Sequence, residues 1–262
     1  MTIIARYEIN GSIHYGHLED GALRRMEGGL FDGMTPTGAV DDPLNVRMLS
    51  PLAAPRIFGV GANYVAHIAE MNMVTPTRPM LFMKPTNTVA GPDDPVILPL
   101  EGGMVHYEAE LAVVIGKAAR RVSAEDAGQV ILGYTCANDI SERVIQKQEM
   151  DQGCLLIGKG FDTFCPLGPV IATGLDPSNL RLEARLNGET RQSSSTSDLL
   201  FSVPQLVSYL SQAISLQPGD VIITGTPSGV GQIAPGDVME IELEGVGVLR
   251  NPVVAESEAG TR

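Results

Sequence analysis

Apolar positions along the chain follow two rhythms, and the shorter one dominates. In VMEIEL, Met239, Ile241 and Leu243 alternate with Glu240 and Glu242, which predicts a strand with one face buried. The runs RIFGV (56–60), MLFM (80–83), VHYEAELAVVI (105–115), ILGYTCAN (131–138) and VIIT (221–224) are apolar without alternation, as strands covered on both faces are. Asn10-Gly11 between residues 2–8 and 13–18, and Asn187-Gly188 between 180–187 and 190–192, are hairpin turn signals, and Asp20-Gly21 marks a further turn. The helical rhythm is clearest at Val203, Leu206, Val207, Leu210 and Ile214, behind a Ser202 cap with Pro204 in the first turn. VAHIAEM after Tyr64 and the charged stretch 141–150 read as helical. Ser123-Ala124-Glu125-Asp126 reads as a capping box opening a short helix to about Gln129. Residues 155–170 read as loop-rich, around GKGFDTFCPLGP.

These elements do not alternate as regular βαβα, which disfavours Rossmann and TIM architectures. The pattern predicts a mixed α/β, β-dominated fold: a curved or rolled mixed sheet with few helices outside. Residues 1–54 read as a small β-rich N-terminal module, without a sustained period over 22–54 and with a linker around Pro51 and Pro55. Residues 55–254 then form the main domain, and 255–262 a frayed tail.

Composition narrows the function. Of 262 residues, 44% are hydrophobic and 19% charged, a globular balance. A net charge of −13 disfavours nucleic acid as a partner. The sequence lacks an apolar run of about 18 residues, so no membrane span is expected, and its first residues lack the basic and apolar regions of a signal peptide. Cys136, Cys154 and Cys165 match no zinc spacing and read as free thiols of a cytoplasmic protein.

Against that background a few polar residues stand out. Glu108 and Glu110 are two apart in an apolar strand, so both carboxylates share one face. Two like charges there repel and desolvate poorly unless a cation joins them. Asp139 ends the strand ILGYTCAND and offers a third carboxylate. An all-carboxylate set suits a hard cation, Mg²⁺ best and Mn²⁺ also; glutamates facing solvent and a turn-forming aspartate is the alternative. Lys159 lies between glycines in GKGFD, where it could meet an oxyanion or sit exposed in a loop. His67 and Glu70 are three apart, able to pair on one helix either to activate water or merely as surface neighbours. TGTPSGVG (224–231) lacks the Gly-Lys-Ser/Thr of a P-loop and reads as a turn presenting N–H groups and hydroxyls. His14, His17 and His106 read as structural.

Together GANYVAHIAEM, LFMKP, HYEAELAVVIGK, GYTCANDIS, GKGFDTFCPLGP and PGDVIITGTPSGVG, in this order over residues 54–253, resemble the fumarylacetoacetate hydrolase superfamily, in its acylpyruvase and 2-hydroxyhepta-2,4-diene-1,7-dioate isomerase-like branch. The resemblance implies a β-roll of mixed sheets and a homodimer. It implies Glu108, Glu110 and Asp139 as ligands of Mg²⁺ or Mn²⁺, with Lys159, Gln146 and Thr226 around a small keto-acid substrate. The net charge of −13 repels such an anion, and Arg143 and Lys84 are the further positive charges that could receive it locally. It makes His67 and Glu70 a water-activating dyad on a lid. Ala62 stands where many members have Arg, and Val144 where many have Asp. The implied activity is metal-dependent C–C hydrolysis of acylpyruvate-type or diketo acids through a stabilised enolate. Oxaloacetate-type decarboxylation and isomerisation of 2-hydroxy-dienedioates are the alternatives that the same motifs allow.

Overall fold

Ala109–Ile115 is buried along its whole length, as its unbroken apolar run requires. In this computed structural model, which describes residues 1–100 and 103–259, that strand is the axis of the fold. It pairs antiparallel with Ile131–Asn138 on one side and with Val221–Ile223 on the other. Val221–Ile223 runs parallel to Ile57–Gly61, which pairs with Met80–Lys84 at the sheet edge. In the other direction Ile131–Asn138 leads to Cys165–Ala172 and then to Ile3–Ile9. The sheet continues through Ser12–Glu19 and Ala22–Glu27 to Thr35–Asp41, so residues 1–54 extend the main sheet. Counting two short strands off this path, it has 12 strands.

A five-stranded sheet runs in the order Glu189–Ser195, Arg181–Leu186, Val238–Leu243, Gly247–Ala255, Val96–Leu98. It stacks on the large sheet. Leu111, Val113 and Ile115 share one core cluster with Leu182, Ala184, Ile241 and Leu243. Ala112 and Val114 point the other way, into a second cluster with Ile57, Ile171, Val221 and Ile223. The alternation assigns Glu110 to the face of Ala112 and Val114.

The hairpin signals hold. Asn10, Gly11, Asp20, Gly21, Asn187 and Gly188 all have positive φ, as a type I′ turn needs at both central residues. Three α-helices lie among the described residues: α1 (Val65–Glu70), α2 (Arg143–Asp151) and α3 (Val203–Ala213). Helix α3 starts at a Ser202–Gln205 capping box and buries Val203, Leu206, Val207 and Leu210.

Five local expectations need correction. Ser123 does accept from the Asp126 N–H, at 3.2 Å, but only a 3-10 turn, Ala127–Gln129, follows before the next strand begins at Ile131. Residues 155–170 are not all loop: Cys165–Ala172 is a largely buried strand in the middle of the large sheet. Pro169 conceals it in the sequence, and the ladder accommodates that proline at a register shift opposite Tyr134–Cys136. The stretch 22–54 contains three strands, of which Thr35–Asp41 is a mostly exposed edge carrying Pro36 and Gly38. The run 105–115 is two strands, Val105–Tyr107 and Ala109–Ile115, broken at Glu108. Finally, Ala255 still belongs to a strand, and Glu256 N–H donates to the Leu98 carbonyl; residues 260–262 lie outside those described.

Candidate metal centre and active-site cleft

The break at Glu108 is built by side chains. Asn138 Oδ1 accepts from Glu108 N–H, and Gln192 Oε1 accepts from Ala109 N–H, each at 2.9 Å. Both amides thus leave the strand ladder while staying satisfied, and the chain passes from the three-stranded sheet of Val105–Tyr107 into the large one. Asp139 N–H donates to the Glu108 carbonyl at 2.9 Å, which locks the end of Ile131–Asn138 beside the break. The carboxylates of Glu108, Glu110 and Asp139 converge, with one oxygen from each within 4.8 Å of the others. All three are at least 95% buried.

Three cations face the three acids. Lys84 Nζ, at the end of Met80–Lys84, donates to Asp139 Oδ1 at 2.5 Å. Lys159 Nζ donates to Glu108 Oε2 at 2.9 Å and to Asp139 Oδ2, and lies 4.9 Å from the centre of the Phe82 ring. Arg143, opening α2, brings Nη2 within 2.6 Å of Glu108 Oε1, an ion pair by distance that lacks hydrogen-bond alignment. Its Nη1 donates to Gln146 Oε1 at 2.9 Å. Lysine and arginine charge is concentrated on Glu108 and Asp139. Burial opposes ionisation of Glu108, but Lys159 and Arg143 outweigh it and hold the carboxyl far below its usual range. Glu110 is the reverse: burial, then the charges of Asp139 and Glu108, push it well above that range. Its Oε2 accepts only the Gly225 N–H among the described residues, at 2.6 Å. An all-oxygen set with one uncompensated buried carboxylate fits a hard divalent cation, whose charge would let Glu110 ionise.

These acids lie in the wall of a cavity of about 750 Å³ that also includes His67, Arg143, Gln146, Lys159 and Thr226. The structure therefore gathers the residues singled out in the sequence around one space. Glu70 lies beside His67 rather than in the wall: His67 Nδ1 is 2.9 Å from Glu70 Oε2, and Glu70 Oε1 accepts the Gly229 N–H at 2.9 Å. The dyad is thus fastened to the TGTPSGVG turn. A proton on Nδ1, donated to Glu70, would leave the Nε2 lone pair free on a residue that borders the cavity.

Three contributors escaped the sequence reading. His106 is in the cavity wall, and its buried Nδ1 has no hydrogen-bond partner among the described residues. Burial, then Arg143, lowers its pKa and favours the neutral ring. Its place two residues before Glu108 was the available signal. Asn138 and Gln192 hold the strand break through backbone amides, and no pattern in the sequence announces that.

A mixed sheet with a buried three-carboxylate centre and a His–Glu pair at the same cavity defines a metal-site enzyme scaffold. The signature "Fumarylacetoacetate (FAA) hydrolase C-terminal" matches residues 56–254, and "Rv2993c-like, N-terminal" matches 4–51. The chain belongs to the fumarylacetoacetate hydrolase family and is an enzyme of it. A protein from Archaeoglobus fulgidus is 46% identical over 254 residues, 96% of each chain. Mitochondrial oxaloacetate tautomerase fahd2 of Xenopus laevis is 41% identical over 221 residues, covering 80% of this chain and 69% of that one. Among solved structures, 2-hydroxyhepta-2,4-diene-1,7-dioate isomerase from Mycobacterium marinum superposes with a TM-score of 0.90 at 37% identity, over 98% of this chain and 100% of that one. Maleylpyruvate hydrolase from Sphingobium sp. SYK-6, in complex with manganese(II) and pyruvate, gives 0.80 at 30% identity, over 97% and 99%. No helix among the described residues is long and apolar enough to cross a membrane.

Proposed function

We propose that this enzyme hydrolyses a C–C bond in acylpyruvate-type or related diketo acids, using Mg²⁺ or Mn²⁺ held by Glu108, Glu110 and Asp139. The observation that carries the hydrolytic reading is the His67–Glu70 pair: Nδ1 lies 2.9 Å from a Glu70 carboxylate oxygen, and His67 borders the cavity. The manganese and pyruvate in the Sphingobium hydrolase support the same reading. Glu108, Glu110 and Asp139 would hold the cation, and it would supply the Lewis acidity that favours enolate formation.

The chain's own residues account for the rest. His67 Nε2 takes a proton from water, and Glu70 steadies the resulting imidazolium. The hydroxide adds to the acyl carbonyl carbon. The bond from that carbon to the pyruvyl methylene breaks, releasing a carboxylic acid and leaving its electron pair on pyruvate enolate. Lys159 places positive charge beside the developing oxyanion. Gln146 and Arg143 border the substrate from α2, and Thr226 from the opposite turn. Return of the proton taken up by His67 to the methylene carbon completes pyruvate and restores the neutral imidazole, so one water is consumed per bond cleaved.

The second reading is tautomerisation, isomerisation or decarboxylation through the same enolate, which needs no activated water. It is favoured by the names of the Xenopus and Mycobacterium marinum proteins. Mass spectrometry of products formed in H₂¹⁸O by Mn²⁺-loaded enzyme separates the two. Hydrolysis puts ¹⁸O in the released acid, and His67→Ala should lower that turnover by about 10²- to 10⁴-fold. Acylpyruvate left intact, with oxaloacetate converted above the metal-only blank and His67→Ala unimpaired, would establish the second reading instead. A homodimer in the cytoplasm belongs to the same proposal. It is supported by the exposed Met80, Leu81 and Met83 on an edge strand and by three free cysteines.

A further inference from the structure

Gln192 is the one fully buried residue on the otherwise exposed or half-exposed strand Glu189–Ser195, at the edge of the five-stranded sheet. Its amide reaches across to the cleft. Oε1 accepts from Ala109 N–H, between Glu108 and Glu110, at 2.9 Å. Nε2 donates to the Pro227 carbonyl at 2.7 Å and to Thr226 Oγ1 at 2.8 Å. Two of these partners fix the amide absolutely. A backbone N–H can only donate and a backbone carbonyl can only accept, so a flipped amide would set like groups against each other at both. The third contact then has no freedom: the Thr226 hydroxyl must accept.

A hydroxyl that accepts from Gln192 keeps its own proton for another partner. Among the described residues none takes it, and Thr226 borders the cavity. We propose that Gln192 is a positioning residue that fixes the polarity of Thr226, making it a dedicated hydrogen-bond donor to a carboxylate or carbonyl oxygen of the substrate. The same amide ties this donor to the backbone between two proposed metal ligands, so donor and ligands keep a common frame. The inference rests on the keto-acid reading above and deepens it.

Equilibrium binding of oxalate to the Mn²⁺-loaded full chain, by calorimetry, tests it without turnover. Thr226→Val removes the donor. Gln192→Glu keeps the acceptor for Ala109 N–H but draws the Thr226 proton onto itself. Each should weaken oxalate about 10- to 100-fold, the worth of a hydrogen bond to a charged group. The double variant should be no weaker than either single one, and Mn²⁺ affinity measured by paramagnetic resonance should stay within about twofold, well inside the tenfold expected of the oxalate step. Should Gln192→Glu not fold, Gln192→Met takes its place: it releases the Thr226 hydroxyl from its enforced accepting role but also leaves Ala109 N–H without its acceptor, so its loss of oxalate counts only beyond any loss of Mn²⁺ affinity. Oxalate bound equally by wild type and the Gln192 variants, or losses that add in the double variant, would overturn the inference alone. Absence of oxalate binding to Mn²⁺-loaded wild type would overturn the keto-acid reading beneath it.

Discussion

Glu110 carries the conflict between stability and function at this centre. Burial, then the charges of Asp139 and Glu108, raise its pKa well above the ordinary 4.5. A carboxyl raised in the folded state binds its proton more tightly there than in the unfolded chain. The stability it contributes is complete below the unfolded value and is lost as pH rises through the folded one. Metal-free protein should therefore lose stability as pH climbs from 4.5 through the raised value. Glu110→Gln retains an acceptor for Gly225 N–H and discards the charge. In EDTA at neutral pH it should melt higher than wild type, by about 2–4 °C for each kcal/mol relieved. Added Mn²⁺ should raise the melting temperature of wild type and leave that of the variant unchanged. A variant that melts lower than metal-free wild type would show that the charge is already compensated. Glu108 and Glu110 were legible because two carboxylates two apart in an apolar run call for a cation, although the strand breaks at Glu108 and the convergence comes from that break. Gln192 was not, because its value lies in three contacts made by chain segments far away in sequence.

At the scale of elements, the cleft depends on how α2 meets the turn that carries Lys159. Glu149 on α2 accepts three successive N–H groups, from Leu156, Ile157 and Gly158. Burial raises the Glu149 pKa, but these three donors outweigh it and the net shift is downward. Gly158 makes the approach possible: a Cβ there would lie 2.6 Å from Gln146 N and 2.7 Å from Gln146 Cα. Gly158→Ala must push α2, with Arg143 and Gln146, away from Lys159. It should cost about 1–3 kcal/mol by overpacking and raise KM for keto acids more than it lowers kcat, as thermal melts and steady-state kinetics will show. Unchanged KM would mean that α2 does not border the substrate. Hairpins and α3 were readable because Asn-Gly turns and a capped amphipathic stripe are local signals. Cys165–Ala172 and Thr35–Asp41 were obscured because Pro166, Pro169, Pro36 and Gly38 carry loop signals, and only the partner strands reveal how the sheet accommodates them.

Across the whole molecule, pairing between distant segments decides what sequence cannot. Ile3–Ile9 joins Cys165–Ala172, and the run 105–115 divides between two sheets, so the class of fold was readable but not the membership of each sheet. Charge is also a property of the whole molecule. The net charge of −13 repels an anionic keto acid from a distance. Inside the cleft, Glu108, Glu110 and Asp139 are matched in number by Lys84, Lys159 and Arg143, so a bound divalent cation makes the centre locally positive. The two fields differ in range. The screening length is about 30 Å at 0.01 M salt and about 8 Å at 0.15 M, so salt weakens the distant repulsion while sparing the buried attraction. For a dianionic substrate kcat/KM should thus rise, roughly twofold, between those ionic strengths, opposite to the usual fall for steered ligands. An uncharged ester of the same substrate should show no such rise. A fall for the dianion would mean that the local positive field extends beyond the mouth of the cleft and governs capture.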